Sequence, residues 1–437
     1  MIRRFIFLVA CVAACTPSAA GAGPLTMSAT AGLAGAARPG RWMPVRVDVD
    51  NGDQDVAGQL IVQWGSATVE RAVSIPAPSR HTYELFIRTG DVRDIVTVRL
   101  RSQGRDLTAF DVPVRVIGSD ESFSVCVAGD AAVARDCSVA IPSSSLPRSW
   151  RGYDTSDQVL IPDTVTLGAE QRRALRLWRA IRTTEAAGFS INAGTVPEGT
   201  APWRRTYVVL GGYLACLAFV ALMLRLSRHR SRLAVAAMAA VVCGASVAAF
   251  ASGRMTPVVI GHATVVQQYA GVSDSLITMR GAAELPSDGR YAIRPSMADG
   301  AINVGPAYGR PMPLRFDGDG YPLLAGDFGL GSTQPFQLEV AAAVRVLDVS
   351  RQGERTRVTN VSRRELRGCE MPSAFAALPG MTLAPGQSIE TSRDLTGADL
   401  IMTCGFEGSP VDFVDPVHQV MTAGATTVVY HFAGGVQ

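Results

Sequence analysis

The sequence predicts a β-rich, multidomain protein that a helical hairpin anchors in a membrane. Three observations support this fold class: short runs of alternating apolar residues on both sides of the chain's centre, one amphipathic helical pattern, and two long apolar stretches between them. A period of two indicates strands with one buried face, and apolar stretches of about 20 residues are typical of helices that cross a bilayer. We therefore expect an Ig-like β-sandwich, a small α/β module, a transmembrane hairpin and a C-terminal, sandwich-like β domain.

Residues 1–22 are predicted to be a secretory signal peptide. Arg3 and Arg4 precede an apolar run at 5–14, and small residues follow at 18–22. This order of basic, apolar and small residues is typical of an exported chain. Two processing routes stay open: ordinary cleavage after the small residues, or lipoprotein processing with a lipid attached to Cys15.

Residues 23–118 are predicted to form the Ig-like sandwich. Apolar residues alternate with polar ones in four runs, at 43–49, 83–87, 96–100 and 112–116. Turn signals such as Asn51-Gly52-Asp53 separate the runs. Several short strands at this spacing favour an antiparallel sandwich of about 90 residues.

Residues 119–200 are predicted to form a small α/β module. Strand-like runs occur at 123–127, 159–161 and 189–191. A helical pattern lies between the last two runs, with one apolar side and one arginine-rich side. The apolar side is predicted to contain Leu167, Ala174, Leu175, Trp178 and Ile181.

Three segments carry a family resemblance: Arg38-Pro39-Gly40-Arg41-Trp42-Met43-Pro44-Val45; Leu146-Pro147-Arg148-Ser149-Trp150-Arg151-Gly152-Tyr153-Asp154 with Asp157 and residues 171–178; and Val358-Thr359-Asn360-Val361-Ser362. They resemble segments of uncharacterised bacterial envelope proteins in which an Ig-like sandwich precedes a class I glutamine amidotransferase-like domain and transmembrane helices follow. The resemblance spans most of the chain. It also implies an association with MoxR-type ATPase systems.

The α/β module departs from a working amidotransferase. That chemistry needs a cysteine on a sharp strand-to-helix turn with a histidine and a carboxylate nearby. Cys126 and Cys137 lack the Gly-x-Cys-x-Gly setting. The one histidine of residues 23–200, His81, lies in a predicted sandwich strand. We therefore expect a degenerate module and no enzymatic activity.

Residues 203–253 are predicted to be a transmembrane hairpin, with helices at 207–226 and 233–251. The basic connector is expected to be cytoplasmic, because positive charge favours that side. The connector arginines are Arg225, Arg228, Arg230 and Arg232. With an exported N-terminus, this topology predicts a multi-pass protein of the bacterial inner membrane whose two large domains are periplasmic, and the lipid bilayer is then a partner.

Residues 254–437 are predicted to form a β-rich domain, because short alternating runs are separated by glycine and proline. Each predicted periplasmic arm contains one pair of cysteines, Cys126 with Cys137 and Cys369 with Cys404. Two structural disulfides are favoured in an oxidising compartment. A redox pair or a metal site is the alternative, but neither pair has Cys-x-x-Cys spacing.

The sequence indicates no nucleic-acid partner, cofactor or metal. The net charge is +3, and the arginines are interspersed with 38 acidic residues. Asp317-Gly318-Asp319-Gly320 begins like a calcium loop, but Phe328 stands where the closing glutamate belongs.

We expect a non-catalytic scaffold or interaction subunit of an envelope assembly. One alternative is an envelope hydrolase or transferase with a site assembled from dispersed residues. Another is a binder of glycan or a small ligand. Its stacking rings would be Trp42, Trp64, Trp150 and Trp178.

Overall fold

The computed structural model describes residues 25–186 and 257–432, apart from 53, 92, 129–136, 286–288, 298, 305–311, 329–331, 353–354, 371–379 and 392–400. The first range contains β1 (Thr26–Ala31), β2 (Ala36–Ala37), β3 (Met43–Asn51), β4 (Val56–Trp64), β5 (Ala67–Ile75), β6 (Ser79–Ile87), β7 (Ile95–Ser102), β8 (Arg105–Pro113), β9 (Arg115–Val116), β10 (Ser124–Val127), β11 (Val139–Ile141), β12 (Gln158–Leu160) and one α-helix, α1 (Ala169–Ala186). Two short 3₁₀ helices span Ser143–Ser145 and Trp150–Tyr153.

The second range is composed of strands. They are β13 (Val258–Tyr269), β14 (Ser275–Leu285), β15 (Gly289–Pro295), β16 (Gly300–Val304), β17 (Leu314–Phe316), β18 (Pro322–Phe328), β19 (Ser332–Ala342), β20 (Leu347–Gln352), β21 (Arg355–Asn360), β22 (Leu366–Glu370), β23 (Met381–Leu383), β24 (Ser388–Thr391), β25 (Ile401–Glu407), β26 (Phe413–Val414) and β27 (Val420–His431). The prediction of a β-rich chain is confirmed.

The N-terminal unit is a sandwich of two sheets. One sheet has the order β1-β3-β6, and the other contains β5-β4-β7-β8. Val45 and Val47 of β3 share one buried core with Val62 of β4 and Val98 of β7. The alternation predicted at 43–49, 83–87 and 96–100 therefore has its expected cause, since one face of each strand is buried against the other sheet.

The sandwich continues into the C-terminal region through one shared sheet. β5 pairs in parallel with β17, with Val69 opposite Leu314, which gives the order β26-β15-β18-β17-β5-β4-β7-β8. Arg315 of β17 also forms an ion pair with Glu70 of β5 at 3.2 Å. Backbone pairing therefore joins the two units.

The predicted calcium-like segment is the turn that joins β17 to β18. The Asp317 carboxylate accepts hydrogen bonds from the Tyr321 N–H at 2.8 Å and from Arg294 at 2.7 Å. Gly320 has φ of +87°, a conformation that glycine adopts without strain. Arg71 of β5 donates to the Gly318 carbonyl at 3.1 Å, so the turn also contacts the sandwich.

The second large sheet has the order β16-β19-β14-β13-β27-β25-β22-β23. A smaller sheet, β20-β21-β24, lies beside it, and the two share a buried core that includes Val358 and Leu366. A disulfide joins Cys369 of β22 to Cys404 of β25. Both cysteines are buried in that core.

The α/β module has three parallel strands in the order β11-β10-β12, with α1 following them. The predicted apolar side of the helix is confirmed, since Leu175, Trp178 and Ile181 are buried. Cys126 of β10 forms a disulfide with Cys137. The predicted strand at 189–191 lies outside the described residues.

The predicted membrane-anchored fold class needs correction. Across the described parts of the chain, no helix has the length and apolar character needed to cross a bilayer. The one helix found there, α1, carries five arginines and two glutamates in 18 residues. The segments 207–226 and 233–251 lie outside the described residues. The two-helix hairpin and the multi-pass location in the inner membrane are therefore wrong as predictions, and the described residues lie mostly in β-strands, with one α-helix among them.

Candidate functional site

The sandwich, the α/β module and the C-terminal sheet meet around a cavity of about 350 Å³. We call this region the junction. Its walls come from residues 40–42 and Arg88 of the sandwich and from Trp150, Asp154 and α1 of the module. Its floor is one face of β14 and β19.

Trp42, just before β3, contacts all three units. Its backbone N–H donates to Asp154 Oδ2 at 2.9 Å, and Thr155 Oγ1 donates to its carbonyl at 3.2 Å. Its ring Nε1 donates to Glu339 Oε1 at 3.3 Å. The Arg88 guanidinium lies 4.6 Å from the ring centroid, within the range of a cation–π contact. Trp42 is only 1% exposed, so it is held within the junction.

Arg151, in the second 3₁₀ helix, links the module to the C-terminal sheet. It donates to Asp299 Oδ1 at 2.9 Å and to the Glu339 carbonyl at 2.7 Å. Its guanidinium lies 5.4 Å from the Trp42 ring and 5.3 Å from the Trp150 ring. A buried arginine needs such partners, because an unpaired buried charge is strongly destabilising.

Three further ion pairs, formed by two arginines, join the sandwich to the module. Arg38 binds both oxygens of Asp157, at 2.7 and 2.9 Å. Burial alone would raise the pKa of Asp157, but the hydrogen bonds from Arg38 and from the Phe123 N–H hold that pKa below its usual value. Arg41 pairs with Asp154 at 3.3 Å and with Glu185 at 2.9 Å.

Every carboxylate that lines the cavity is engaged by a donor. Asp154 accepts from Trp42 and Arg41, and Glu185 accepts from Arg41 and from Arg182 of the same helix. Glu339 accepts from the Trp42 ring, and Arg88 lies 3.6 Å from its second oxygen. Burial raises the pKa of Asp154, although the Trp42 N–H and Arg41 act in the opposite direction.

The junction brings together two of the segments that carry the family resemblance. Arg38, Arg41 and Trp42 come from the first segment, and Arg151 and Asp154 from the second. Sequence reasoning missed Arg88, Asp299 and Glu339. Glu339 carried a signal, because it is an acidic residue inside an otherwise apolar run, where a buried carboxylate needs partners.

The remaining predicted site residues are distributed over the fold. Cys126 and Cys137 are bonded to each other, as are Cys369 and Cys404, so none of them presents a free thiol. His81 stacks on Tyr83 within β6. The tryptophans Trp42, Trp64, Trp150 and Trp178 are all buried, and their rings pack inside the fold. Cys15 and the connector arginines Arg225, Arg228, Arg230 and Arg232 lie outside the described residues.

The C-terminal histidines occupy structural positions. His418 Nδ1 lies 2.9 Å from Asp415 Oδ1, and its ring stacks on Tyr291. His262 Nδ1 lies 2.9 Å from the Thr264 hydroxyl. Burial lowers the pKa of His431 to about 4, so this ring is neutral at pH 7.

Glu84 of β6, near Arg148 and Asp299, gives the stability of the protein a dependence on pH. Burial and, to a smaller extent, the charge of Asp299 raise the pKa of the Glu84 carboxyl to about 7, although Arg148 acts in the opposite direction. Because the folded pKa exceeds the unfolded one, the free energy of unfolding falls as the pH rises from about 4.5 to about 7. We expect Glu84→Gln to be more stable than the parent at pH 8 by on the order of 2 kcal/mol, and to show much less difference at pH 4.5. Urea denaturation at both pH values measures this difference.

Asp157→Asn is the control for that experiment. Asp157 is ionised at both pH values because its pKa lies below the usual value. The control variant should therefore lose similar stability at pH 4.5 and at pH 8. A stability difference between Glu84→Gln and the parent that is the same across this range would contradict the assigned titration.

Comparisons with known proteins match only one part of the chain to a family. Residues 24–115, a range that contains β1 to β8, match a domain of unknown function (DUF8726). No curated protein matches the chain. Among solved structures, a red sea bream transglutaminase aligns over 43% of this chain and 33% of its own length at 14% identity, with a TM-score of 0.10. A TM-score that low carries no information about fold or activity.

Proposed function

We propose that the chain is a non-catalytic scaffold or interaction subunit of a bacterial envelope assembly. The observation that supports this most is the sheet that the sandwich and the C-terminal region share. Together with the Trp42 and Arg151 contacts, it joins three units into one platform. A scaffold needs such a platform, because partners bound at different places must keep a fixed geometry.

Two further observations favour this proposal. Both disulfides fit a protein of an oxidising compartment. The carboxylates of the junction cavity already have arginine or indole donors, whereas an acid–base enzyme needs a carboxyl group that is available to the substrate. The resemblance to envelope proteins that are associated with MoxR-type ATPases suggests the class of assembly.

The segment between β26 and β27 supplies a surface for a partner. Val417 is 79% exposed, and Val414 and Met421, which flank it in sequence, are 49% and 52% exposed. These exposed apolar side chains come from one short stretch of sequence, and exposed apolar patches are typical of protein–protein contact sites. β26 is also an edge strand of the shared sheet, and an edge can pair with a strand of another protein.

The test compares the native assembly of three forms of the full chain, isolated from its own cells. We expect the parent to migrate as a particle larger than a single chain in size-exclusion chromatography with light scattering. The double variant Val417→Asp, Met421→Asp should shift toward the single-chain mass, because charge at a desolvated contact is costly. Leu107→Asp, at the exposed strand β8, should leave the particle intact. If the parent particle had the mass of a single chain, the scaffold proposal would be refuted.

A further inference from the structure

We infer that the second large sheet binds a second copy of the chain, face to face, in a two-fold symmetric dimer. This inference rests on the proposed interaction function, because it names a partner for the surface that contains Met421. The contact lies on the same face of the sheet that forms the floor of the junction, at the other end of the strands. We call it the dimer face; it extends over β19, β14, β13 and β27, which are neighbours in that sheet.

Strand register arranges the dimer face as three rows of side chains. Residues that pair directly across neighbouring strands point to the same side of a sheet, and alternate residues of one strand do so as well. Read from β19 to β27, the outer row is Thr333, Glu284, Val259 and Met421; the middle row is Pro335, Ala282, Gly261 and Ala423; and the inner row is Gln337, Arg280, Ala263 and Ala425. Gln337 and Arg280 also line the junction cavity, so the inner row lies next to the junction.

The dimer face is accessible and mostly apolar. Met421 is 52% exposed, and Pro335, Ala423 and Ala425 are exposed as well. The three β13 residues of these rows are half-buried. Covering such a face with a partner is favourable, because apolar area is removed from water.

The charges of the dimer face are self-complementary. Arg280 and Glu284 stand on β14 at equal distances from Ala282, one on each side. A two-fold axis that runs across the strands through the middle row therefore places Arg280 of each copy opposite Glu284 of the other. A two-fold contact brings the same patch of two copies together, so it needs this kind of symmetry. The match favours a second copy as the occupant over a protein with an unrelated charge pattern.

The same axis matches large side chains with small ones. It lays the outer row of each copy over the inner row of the other, so that Met421 and Val259 face Ala425 and Ala263. The middle row faces itself, and on β14, β13 and β27 it consists of alanine and glycine. Small residues there let the two sheets approach, and the larger side chains on either side interdigitate as they do between the sheets of a sandwich.

The axis also leaves room for the second copy beside the junction. All four strands begin or end near the outer row: β13 at Val258, β14 at Leu285, β19 at Ser332 and β27 at Val420. Since the outer row of the second copy lies over the inner row of the first, its sheet stops where the walls of the junction begin. The module and the sandwich therefore lie beside the sheet of the second copy.

The size of the dimer face sets the strength of association. Four strands about 4.8 Å apart, with five residues of about 3.3 Å each, outline a patch of about 19 by 17 Å. This patch covers about 300 Å² per copy, which is typical of small, transient interfaces rather than stable complexes. We therefore expect reversible association with a Kd of about 100 µM.

The test is sedimentation equilibrium of the full chain, purified without other proteins. Between about 2 and about 300 µM, we expect the weight-average mass to rise from one chain to at least about 1.5 chains. Arg280→Glu should raise the dissociation constant at least about tenfold, since it brings two carboxylates together at each of two symmetric places. Glu284→Arg should weaken association by a similar factor, because it brings two arginines together in the same way.

The double variant Arg280→Glu, Glu284→Arg identifies the pairing. It restores opposite charges across the axis with their positions exchanged, so its dissociation constant should return to within about threefold of the parent's. A merely structural role of either residue would not produce this recovery. Arg290→Glu, the same charge change at an exposed arginine of β15, should leave association unchanged. Circular dichroism checks that each variant keeps the fold of the parent.

The scaffold proposal and this inference can fail separately. A purified chain that keeps single-chain mass up to about 300 µM would overturn the dimer, while the scaffold would stand if particles from cells remained larger than one chain. If the charge variants associated as the parent does, or if the folded double variant did not recover, the assigned face and axis would be wrong. Particles of single-chain mass from cells would refute the scaffold even if the purified chain formed dimers at high concentration.

Discussion

Replacing Trp42 by alanine is expected to lower the free energy of unfolding by about 3–5 kcal/mol, as deletion of a buried tryptophan ring does elsewhere. The effect should go beyond lost packing, since the ring contacts the guanidinium groups of Arg88 and Arg151 and donates a hydrogen bond to Glu339. Without the ring, the sandwich keeps its own core while its contacts with the other two units weaken. We therefore expect the calorimetric melting profile of the full chain to divide into two transitions.

Trp64→Ala is the matched control for this prediction. Trp64 is fully buried at the end of β4, and its Nε1 donates to the Arg93 carbonyl at 2.8 Å inside the sandwich. Its loss should cost about as much stability, about 3–5 kcal/mol, without affecting the junction. The control should unfold at a lower temperature than the parent, but in a single transition. If Trp42→Ala also gave one transition, at the melting temperature of the parent, Trp42 would not couple the units.

Local patterns in the sequence predicted most of the strands because their cause is local. Val45, Val47 and Val49 alternate because one face of β3 is buried, and that period is visible without knowing the partner strand. The helix was predicted for the same reason, since its buried residues recur at helical spacing. Both disulfide pairs follow from the position of the cysteines, since one pair precedes residues 203–253 and the other follows them.

The shared sheet could not be predicted, because its signal is not local. β17 has only three residues, and the ion pair from Arg315 to Glu70 spans 245 positions of sequence. The largely apolar run 338–349 is divided between β19 and β20. Gln268 accepts hydrogen bonds from the N–H groups of Val346 and Leu347 and so holds the start of β20 in place. A side chain some 80 positions away therefore decides a local boundary.

The junction was only partly visible in the sequence for a related reason. The segments that contain Trp42 and Arg151 were recognised through a family resemblance, but their contact with each other was not. Glu339 and Asp299 acquire their roles only after the C-terminal sheet packs against the module. A buried polar group needs a hydrogen-bond partner, so the two residues of such a pair depend on each other. A single sequence shows these residues at distant positions and does not indicate that they meet.

Removing the Cys369–Cys404 disulfide is expected to lower the free energy of unfolding by about 4 kcal/mol. The bond closes a loop of 35 positions, and a longer closed loop restricts the unfolded chain more. The double variant Cys369→Ala, Cys404→Ala avoids placing a hydroxyl group in the core around both sulfurs. Urea denaturation of the full chain under non-reducing conditions measures the loss.

The second disulfide provides the control, because Cys126 and Cys137 are separated by only 11 positions. Loop entropy predicts a smaller loss of about 3 kcal/mol for Cys126→Ala, Cys137→Ala. The relative size of the two stability losses therefore tests the loop-entropy mechanism as well as the pairing of the cysteines. Dithiothreitol should destabilise each double variant only through the disulfide that it retains, and non-reducing mass spectrometry should find that remaining link. If the reductant left the parent's unfolding midpoint unchanged, neither bond would contribute to stability, and the inference of an oxidising compartment would lose its main support.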